Sequence, residues 1–374
     1  MKPAVVFVIL QSGALANGGL QSITEVMRRL KDHRPIVVTN LDGQRSETWR
    51  SCGIEVHVVP EEASAGLSRN LAGTLRTYRR YHHALKAILR ASGARVVHAN
   101  DPLSFQLSLT PVKSSNARLI LNLRDTVDSA RRPPKFKFRM IFAAADHVLF
   151  LSNDMAQRWS QVAANAIDSC SVTYSIVDPQ RFAPSRVTNE NTAVVLVPGM
   201  FWPKKGQLDF IRHVVPALAE QRIESWFAGD FDPSTNAYAA ACASAAGPFA
   251  ACVRFLGYRN DLPDLIRQAS VVAIPSRHEG LMRGMIEAMS CGRPVVSFDV
   301  CSAREVLEGE PAAAGAVLPM DDYEGMARAL IRYATDGEAQ ISAGRAGSAV
   351  ARLLFDPEEV TERYERVYRE LSKH

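Results

Sequence analysis

The sequence predicts an α/β protein built on two separate parallel sheets, and three observations carry that prediction. Short apolar runs that read as buried strands recur along the chain, helical patterns fill the intervals, and one polar, proline-containing stretch divides the series. In the first half the runs are residues 5–10, 36–39, 54–59, 95–98, 119–123, 147–151 and 171–174. In the second they are residues 193–197, 225–228, 253–256, 271–274, 295–298 and 316–318. Strands alternating with helices form parallel sheets covered on both faces, and seven plus six strands suit two sheets better than one. The divide falls at residues 178–192, with Pro179, Pro184 and the polar run Arg186-Val-Thr-Asn-Glu-Asn191.

Composition agrees with this reading. At 374 residues the chain is too long for one ordinary core, and 47% hydrophobic with 22% charged residues is a globular balance. No apolar run approaches the roughly 18 residues a membrane-spanning helix needs. Lys2, the run at residues 4–10 and Ala14-Leu-Ala16 imitate a short secretion signal. A first buried strand is the preferred reading, because cleavage would remove the strand that the next helix needs, so a cytoplasmic chain is expected. The six cysteines are scattered with none two residues apart, which suggests neither a zinc site nor a disulfide framework. Residues 1–190 carry 25 Lys and Arg against 15 Asp and Glu, whereas the remainder carries 19 against 24. A basic first half suits a phosphorylated acceptor, an anionic membrane surface or a nucleic acid.

Taken in order, the first polar element is Asn17-Gly18-Gly19, between the first strand and a helix with Leu20, Ile23, Met27 and Leu30 on one face. Adjacent glycines let backbone approach a ligand and a helix start receives phosphate, though a plain tight turn explains them equally well. His98-Ala-Asn-Asp101 and Asn122-Leu-Arg124-Asp125 each end a strand, the edge where open α/β sheets bind ligands. His98 alone would more often be a hydrogen-bonded structural residue. Between Arg131 and Phe142 five cations mix with Phe136, Phe138 and Phe142. That stretch suits a membrane interface or a surface helix whose aromatics face the core, while no nucleic-acid module accompanies it. Gly199-Met-Phe-Trp-Pro-Lys204-Lys205-Gly206 follows the first strand of the second half, and its lysines suit a diphosphate or plain solvent. Glu279 lies on the loop after the strand at residues 271–274, and Glu287 on the helix that Gly292 and Pro294 stop. Carboxylates beside a phosphate-binding helix start belong with a ligand whose hydroxyls flank a diphosphate, as in a sugar nucleotide. The terminal helix, residues 357–371, opens with Asp356 and Pro357 and carries Val360, Tyr364, Val367 and Leu371 as one stripe.

Together these residues resemble the retaining, sugar-nucleotide-dependent glycosyltransferases of the GT-B fold, the large family with two glutamates separated by seven residues (family four, "glycosyl transferases group 1"). Gly18-Gly19, Val96 to Asp101, Asp146 to Ser152, Val177 to Pro184, Gly199 to Gly206 and Glu279 to Pro294 follow that family's motifs in order. The resemblance implies two Rossmann-like domains whose parallel sheets face a central cleft. An acceptor domain is expected over residues 1–180, a nucleotide-sugar domain over 193–356, and a helix at 357–374 crossing back to the first. It implies a donor site of Gly18, Gly19, Lys204, Lys205, Tyr258, Arg259, Gly280, Leu281, Met282, Arg283, Gly284 and Glu287. Lys205 would bind the diphosphate, Glu287 the ribose hydroxyls, and Tyr258 and Arg259 the border of the base. Glu279 would orient the transferred sugar with help from the amides of residues 281–284. Arg124 and Asp125 would join Glu279 in catalysis, and His98 and Asp101 would lie on the acceptor side. The implied activity is metal-independent and cofactor-free hexosyl transfer from a nucleotide diphosphate sugar, UDP-linked by preference, in polysaccharide or glycoconjugate synthesis. The acceptor would be a hydroxyl on a glycan, a lipid-linked sugar or a small molecule, with peripheral inner-membrane contact through residues Arg131 to Phe142.

The departures from the pattern are specific. Met200 stands where the family places an arginine, Arg124 where it places a histidine, Leu281-Met282-Arg283 where Phe-Gly follows Glu-Gly, and Ser175-Ile176 where it places Asn-Gly. Arg283 or Lys204 is expected to replace the missing cation. Two alternatives stay open: a nucleotide-sugar epimerase of the same fold, and a non-catalytic sugar-nucleotide-binding protein.

Overall fold

The computed structural model describes residues 2–11, 18–60, 71–126, 135–163, 166–184, 193–309 and 313–373. Asn17 and residues 131–134 lie outside that set. The chain forms two compact units, one of Met1–Ile176 with Pro357–His374 and one of Val177–Asp356. The first unit holds β1 (Ala4–Ile9), β2 (Arg34–Thr39), β3 (Glu55–Val58), β4 (Val96–Ala99), β5 (Arg118–Leu123), β6 (His147–Phe150) and β7 (Cys170–Val172). The second holds β8 (Val194–Pro198), β9 (Glu224–Ala228), β10 (Val253–Gly257), β11 (Val271–Ile274), β12 (Val295–Phe298) and β13 (Gly315–Leu318). Each strand lies on an apolar run of the sequence, with ends within two residues.

Every strand pair is parallel, in the orders β3-β2-β1-β4-β5-β6-β7 and β10-β9-β8-β11-β12-β13. In each sheet the order reverses once, between β1 and β4 and between β8 and β11. At such a reversal the two following helices leave to opposite faces and a crevice opens beyond the carboxyl ends of the strands. The inner strands are largely apolar because helices cover both faces: β1, β4, β6, β11 and β12 are buried along their whole length. Each fully buried Val, Ile, Leu or Phe side chain contributes roughly 1.5–3 kcal/mol of transfer free energy.

In the second unit aromatic packing reaches from the core to the loop after β8. Phe201 of that loop touches Phe227, Phe231 and Phe255, and Phe231 stacks on Phe255 with centroids 4.1 Å apart. One end of a polar loop is thereby anchored in the hydrophobic core.

The helix Pro357–Ser372 packs in the first unit. Proline at its first position, Glu358 and Glu359 in its first turn and Arg369 in its last suit the helix dipole. Its buried stripe includes Val360, Tyr364, Val367 and Tyr368, together with the carboxylate of Glu365. Glu365 accepts hydrogen bonds from the backbone amides of Lys31 at 2.7 Å and Asp32 at 2.9 Å, and its other oxygen meets His33 Nδ1. Burial pushes this carboxyl upward, but the bonds from His33 and the two amides outweigh burial and hold it below its ordinary value. About one turn further along the helix, the Tyr368 hydroxyl lies 2.9 Å from His98 Nδ1.

Removing the Glu365 carboxylate strands two backbone amides and a buried imidazole. Glu365→Ala is expected to lower stability by about 3–5 kcal/mol in urea denaturation, with Glu365→Gln losing less. A loss below about 1 kcal/mol would show the network to be incidental. Burial, and then the positive charge of Arg124, press the pKa of His98 down to about 3. The unfolded chain therefore binds an extra proton below the ordinary histidine value of about 6.5. The His98 contribution should be whole above that pH and fade as pH falls toward 3.

Candidate active site

The second unit brings the two predicted glutamates to its switch point. The loop after β8 contains Lys204 and Lys205 in a short 3-10 turn (Pro203–Lys205), and the loop after β11 contains Glu279 and leads into the helix Arg283–Ser290. Because β8 and β11 are adjacent, their loops emerge side by side. Two backbone contacts join them. The Arg277 amide donates to the Lys204 carbonyl at 2.8 Å, and Gly206 lies against the Pro275 carbonyl. Gly206 has φ +73°, and a Cβ there would meet Pro275 O at 2.0 Å, so both the turn and the loop junction require glycine. Gly284, in the first turn of the helix, gives similar access: a Cβ would lie 3.2 Å from Pro198 Cγ.

On this scaffold the charged groups form two pairs. Lys205 Nζ lies 2.5 Å from Glu279 Oε1, with both side chains partly exposed. Arg283 Nε lies 2.7 Å from Glu287 Oε1, one helical turn apart, with Glu287 only 5% exposed. Burial raises the Glu287 carboxyl above its ordinary value, and the Arg283 guanidinium opposes that rise. The helix start at Met282 and Arg283 has no side-chain cap. Arg283, expected to supply charge to a phosphate, is engaged with Glu287, while Lys204 Nζ sits 5.9 Å from the Trp202 ring centroid.

Other side chains fix the loops. Gln207 Nε2 donates to the Met200 carbonyl at 2.8 Å, and Asn236 Nδ2 to the Phe201 carbonyl at 2.9 Å. Ser302, in the left-handed region with φ +70°, donates through Oγ to the Gly280 carbonyl at 2.8 Å. Gly280, Leu281 and Met282 are buried. Arg277 forks onto Asp321 and reaches the Tyr323 hydroxyl at 3.2 Å. Sequence reasoning missed Gln207, Asn236, Arg277 and Ser302. Only the polar residue Gln207 opening an otherwise apolar helix face could have signalled its role. At the end of β10, Tyr258 is 49% exposed, and Arg259 is held by a two-point contact with Asp261.

In the first unit the expected residues occupy varied settings. Gly18 and Gly19 open the helix Gly18–Arg29, which makes them helix-start residues. Asp101 caps the helix Pro102–Lys113, its Oδ1 accepting from the amides of Leu103 at 2.8 Å and Ser104 at 2.9 Å. His98 is fully buried, with Asn122 Nδ2 3.1 Å from Nε2 and the Tyr368 hydroxyl beside Nδ1. Both its ring nitrogens have partners, the setting of a hydrogen-bonded structural histidine. Arg124 Nη2 donates to Ser175 Oγ at 3.3 Å. Asp125 is exposed, accepts from the Thr126 amide at 3.1 Å, and receives the Trp159 indole on its carbonyl at 3.0 Å. Within the stretch ending at Phe142, the helix Lys135–Ala144 splits its aromatics. Phe138 and Phe142 pack on Trp159, whereas Phe136 and Met140 face solvent, 76% and 59% exposed.

Gly206→Ala should destabilise the protein by about 1–3 kcal/mol, since it adds backbone strain at positive φ to a clash with Pro275. A thermal melt reads it, and an unchanged melting temperature would show that the two loops can part without cost.

Residues 192–336 match the family described as Glycosyl transferases group 1. The phosphatidyl-myo-inositol mannosyltransferase of Mycolicibacterium smegmatis is 25% identical over 305 residues, covering 78% of this chain and 75% of its own. The lipopolysaccharide core biosynthesis mannosyltransferase LpsB of Rhizobium meliloti is 28% identical over 121 residues. That match spans 32% of this chain and only about a third of LpsB, 34%. Among solved structures, Anabaena HepE in complex with UDP superposes with a TM-score of 0.81 at 20% identity, covering 99% of this chain and 100% of HepE. The sucrose-phosphate synthase of Thermosynechococcus elongatus has a TM-score of 0.81 at 17% identity, covering 100% of both chains. The chain has the GT-B fold, and its residues 192–336 match the family described as Glycosyl transferases group 1.

Proposed function

We propose that the protein is a retaining glycosyltransferase that moves a sugar from a nucleotide diphosphate sugar, UDP-linked by preference, to a hydroxyl acceptor. One observation carries the reading: the Lys205–Glu279 pair bridges adjacent loops at the switch point of the second sheet, and the Arg283–Glu287 pair lies on the helix that follows the second loop. The family match over that unit and the UDP bound by a protein of the same fold support it.

In this mechanism the diphosphate takes Lys205 and the amides that open the helix Arg283–Ser290. The Lys205–Glu279 pair is then exchanged for a Lys205–phosphate contact and a Glu279–sugar hydroxyl contact. Glu287, fixed by Arg283, accepts from the ribose hydroxyls, so Arg283 acts by orienting Glu287 and aiding charge balance. Tyr258 and Arg259 border the base. As the glycosidic bond breaks, charge grows on the departing phosphate, and preorganised cations and amides stabilise it without reorganising. Front-face attack with that phosphate as base leaves Glu279 a positioning role, and no metal is called upon. Arg124 and Asp125 are assigned to the transferred sugar.

The acceptor is assigned to the class of glycan, lipid-linked sugar or small-molecule hydroxyls. A basic first half and relatives named for lipopolysaccharide core and phosphatidyl-myo-inositol mannosylation favour a lipid-linked one. Phe136 and Met140, exposed beside Lys137 and Arg139, support a peripheral contact with the inner membrane face.

The test is incubation with a panel of nucleotide sugars, read as release of the nucleotide diphosphate. Glu279→Ala should lower turnover by about 10²–10³-fold, the scale of losing one transition-state contact. Glu287→Ala should weaken UDP binding by about 10–100-fold, as expected for a lost hydrogen bond to a charged acceptor. Full-strength UDP binding by Glu287→Ala would remove the assignment. Donor binding with no hydrolysis or transfer would favour a non-catalytic binder, and an isomerised donor would favour an epimerase.

A further inference from the structure

The residues from Val177 to Pro184 open the second unit, and none of them enters the transfer chemistry. Two arginines stitch this segment to the loop after β10 and to the helix Leu262–Gln268 that follows it. From the helix, Arg267 Nη1 donates to the carbonyls of Arg181 at 3.2 Å and Ala183 at 3.3 Å. In the other direction Arg181 Nη2 donates to the Asn260 carbonyl at 2.6 Å. The Phe182 ring is buried, and the Arg181 guanidinium carbon sits 5.4 Å from its centroid.

Anchoring the segment does not require the Arg181 side chain. Phe182 holds it by burial and Arg267 by two bonds to its backbone, whereas Arg181 is exposed. What the Arg181 bond fixes is the loop at residues 258–260, the part of this unit assigned to the border of the base. Within that loop Arg259 closes onto Asp261, a contact between near neighbours that does not tie the loop to anything else. Among the described residues, Arg181 supplies the one side-chain hydrogen bond that reaches residues 258–260 from elsewhere in the unit. Arg181 forms no ion pair among those residues, so its charge is not spent on a carboxylate in contact with it. That charge is felt at Glu287: burial raises this carboxyl, Arg283 opposes the rise, and Arg181 opposes it further. One side chain therefore grips the border of the base and acts through space on the acid assigned to the ribose.

We propose that Arg181 is a positioning residue for the nucleoside end of the donor, fixing the loop that borders the base relative to the carboxylate that takes the ribose. The inference rests on the nucleotide reading of this unit and adds to it a residue that need not touch the ligand. A loop held in place before binding loses less freedom when the nucleoside arrives, and that preorganisation is the gain. The diphosphate is left to Lys205 and the amides of residues 281–284. Loss of Arg181 is then felt by ligands that carry a nucleoside and not by pyrophosphate alone.

The experiment measures binding of UDP and of inorganic pyrophosphate to the full chain by calorimetry, in the native protein and in Arg181→Ala, Arg181→Gln and Arg181→Lys. Arg181→Ala should weaken UDP binding by about tenfold, the scale of one hydrogen bond from a charged group. Pyrophosphate affinity and the circular dichroism spectrum should stay native. Arg181→Lys keeps both a donor and the charge and should recover most of the loss, while Arg181→Gln keeps a donor alone and should fall between. Should Arg181→Ala fold poorly, the order of Lys above Gln carries the test. Native UDP affinity in all three variants overturns the proposal, and so do equal losses for UDP and pyrophosphate, which would make Arg181 a general source of positive charge. Glu287→Ala separates this role from the reading beneath it. Weakened UDP binding there beside native binding in Arg181→Ala removes the positioning role alone, and native binding in both removes the nucleotide site.

Discussion

The adjacency of β8 and β11 is the constraint on which the rest of the second unit depends. Two parallel neighbours whose connections leave to opposite faces must send their loops out together. What holds those loops in register is small: one amide-to-carbonyl bond from Arg277 to Lys204, and the bare backbone of Gly206 against Pro275. Through them, residues 74 positions apart in the chain, Lys205 and Glu279, become an ion pair. The aromatic cluster around Phe201 ties one loop to the core, and Ser302 ties the other by accepting strain at positive φ to reach the Gly280 carbonyl. Strain of this kind persists only where surrounding structure over-determines it.

Charge in this site is arranged in pairs. Burial pushes the Glu287 carboxyl toward its neutral form, and Arg283 one turn away opposes that push. Chemically this explains why an arginine at position 283 need not imitate the cation missing at Met200. In the proposed mechanism its task is to orient the neighbouring acid, and phosphate charge falls to Lys205 and to the amides at the start of the helix. Lys205 is then the more consequential cation of the pair Lys204–Lys205, because its side chain crosses Gly199 toward Glu279 while Lys204 rests near Trp202.

Much of the fold was legible because parallel strands buried on both faces read as continuous apolar runs, and β11 and β12 coincide with theirs residue for residue. The split into seven and six strands was legible for the same reason. The surroundings of individual side chains were less so. The setting of His98 depends on Tyr368, 270 positions away, and no local pattern announces such a partner. Aromatics of the helix Lys135–Ala144 divide between core and solvent according to which of them meets Trp159, again a matter of tertiary packing. Ser302 reads as an ordinary loop serine until its left-handed backbone is seen. By contrast the placement of Glu279, Glu287 and Lys205 at strand ends and a helix start was legible from the sequence, because apolar runs and helix stops fix where such loops lie.

The most direct test of the central claim is a crystal structure of the full chain with UDP. The account predicts the ribose within hydrogen-bonding distance of Glu287, the diphosphate on Lys205 and the amides of residues 281–284, and the Lys205–Glu279 pair separated. Nucleotide bound elsewhere, or bound with Lys205 still locked to Glu279 and Glu287 making no contact with it, would contradict the account.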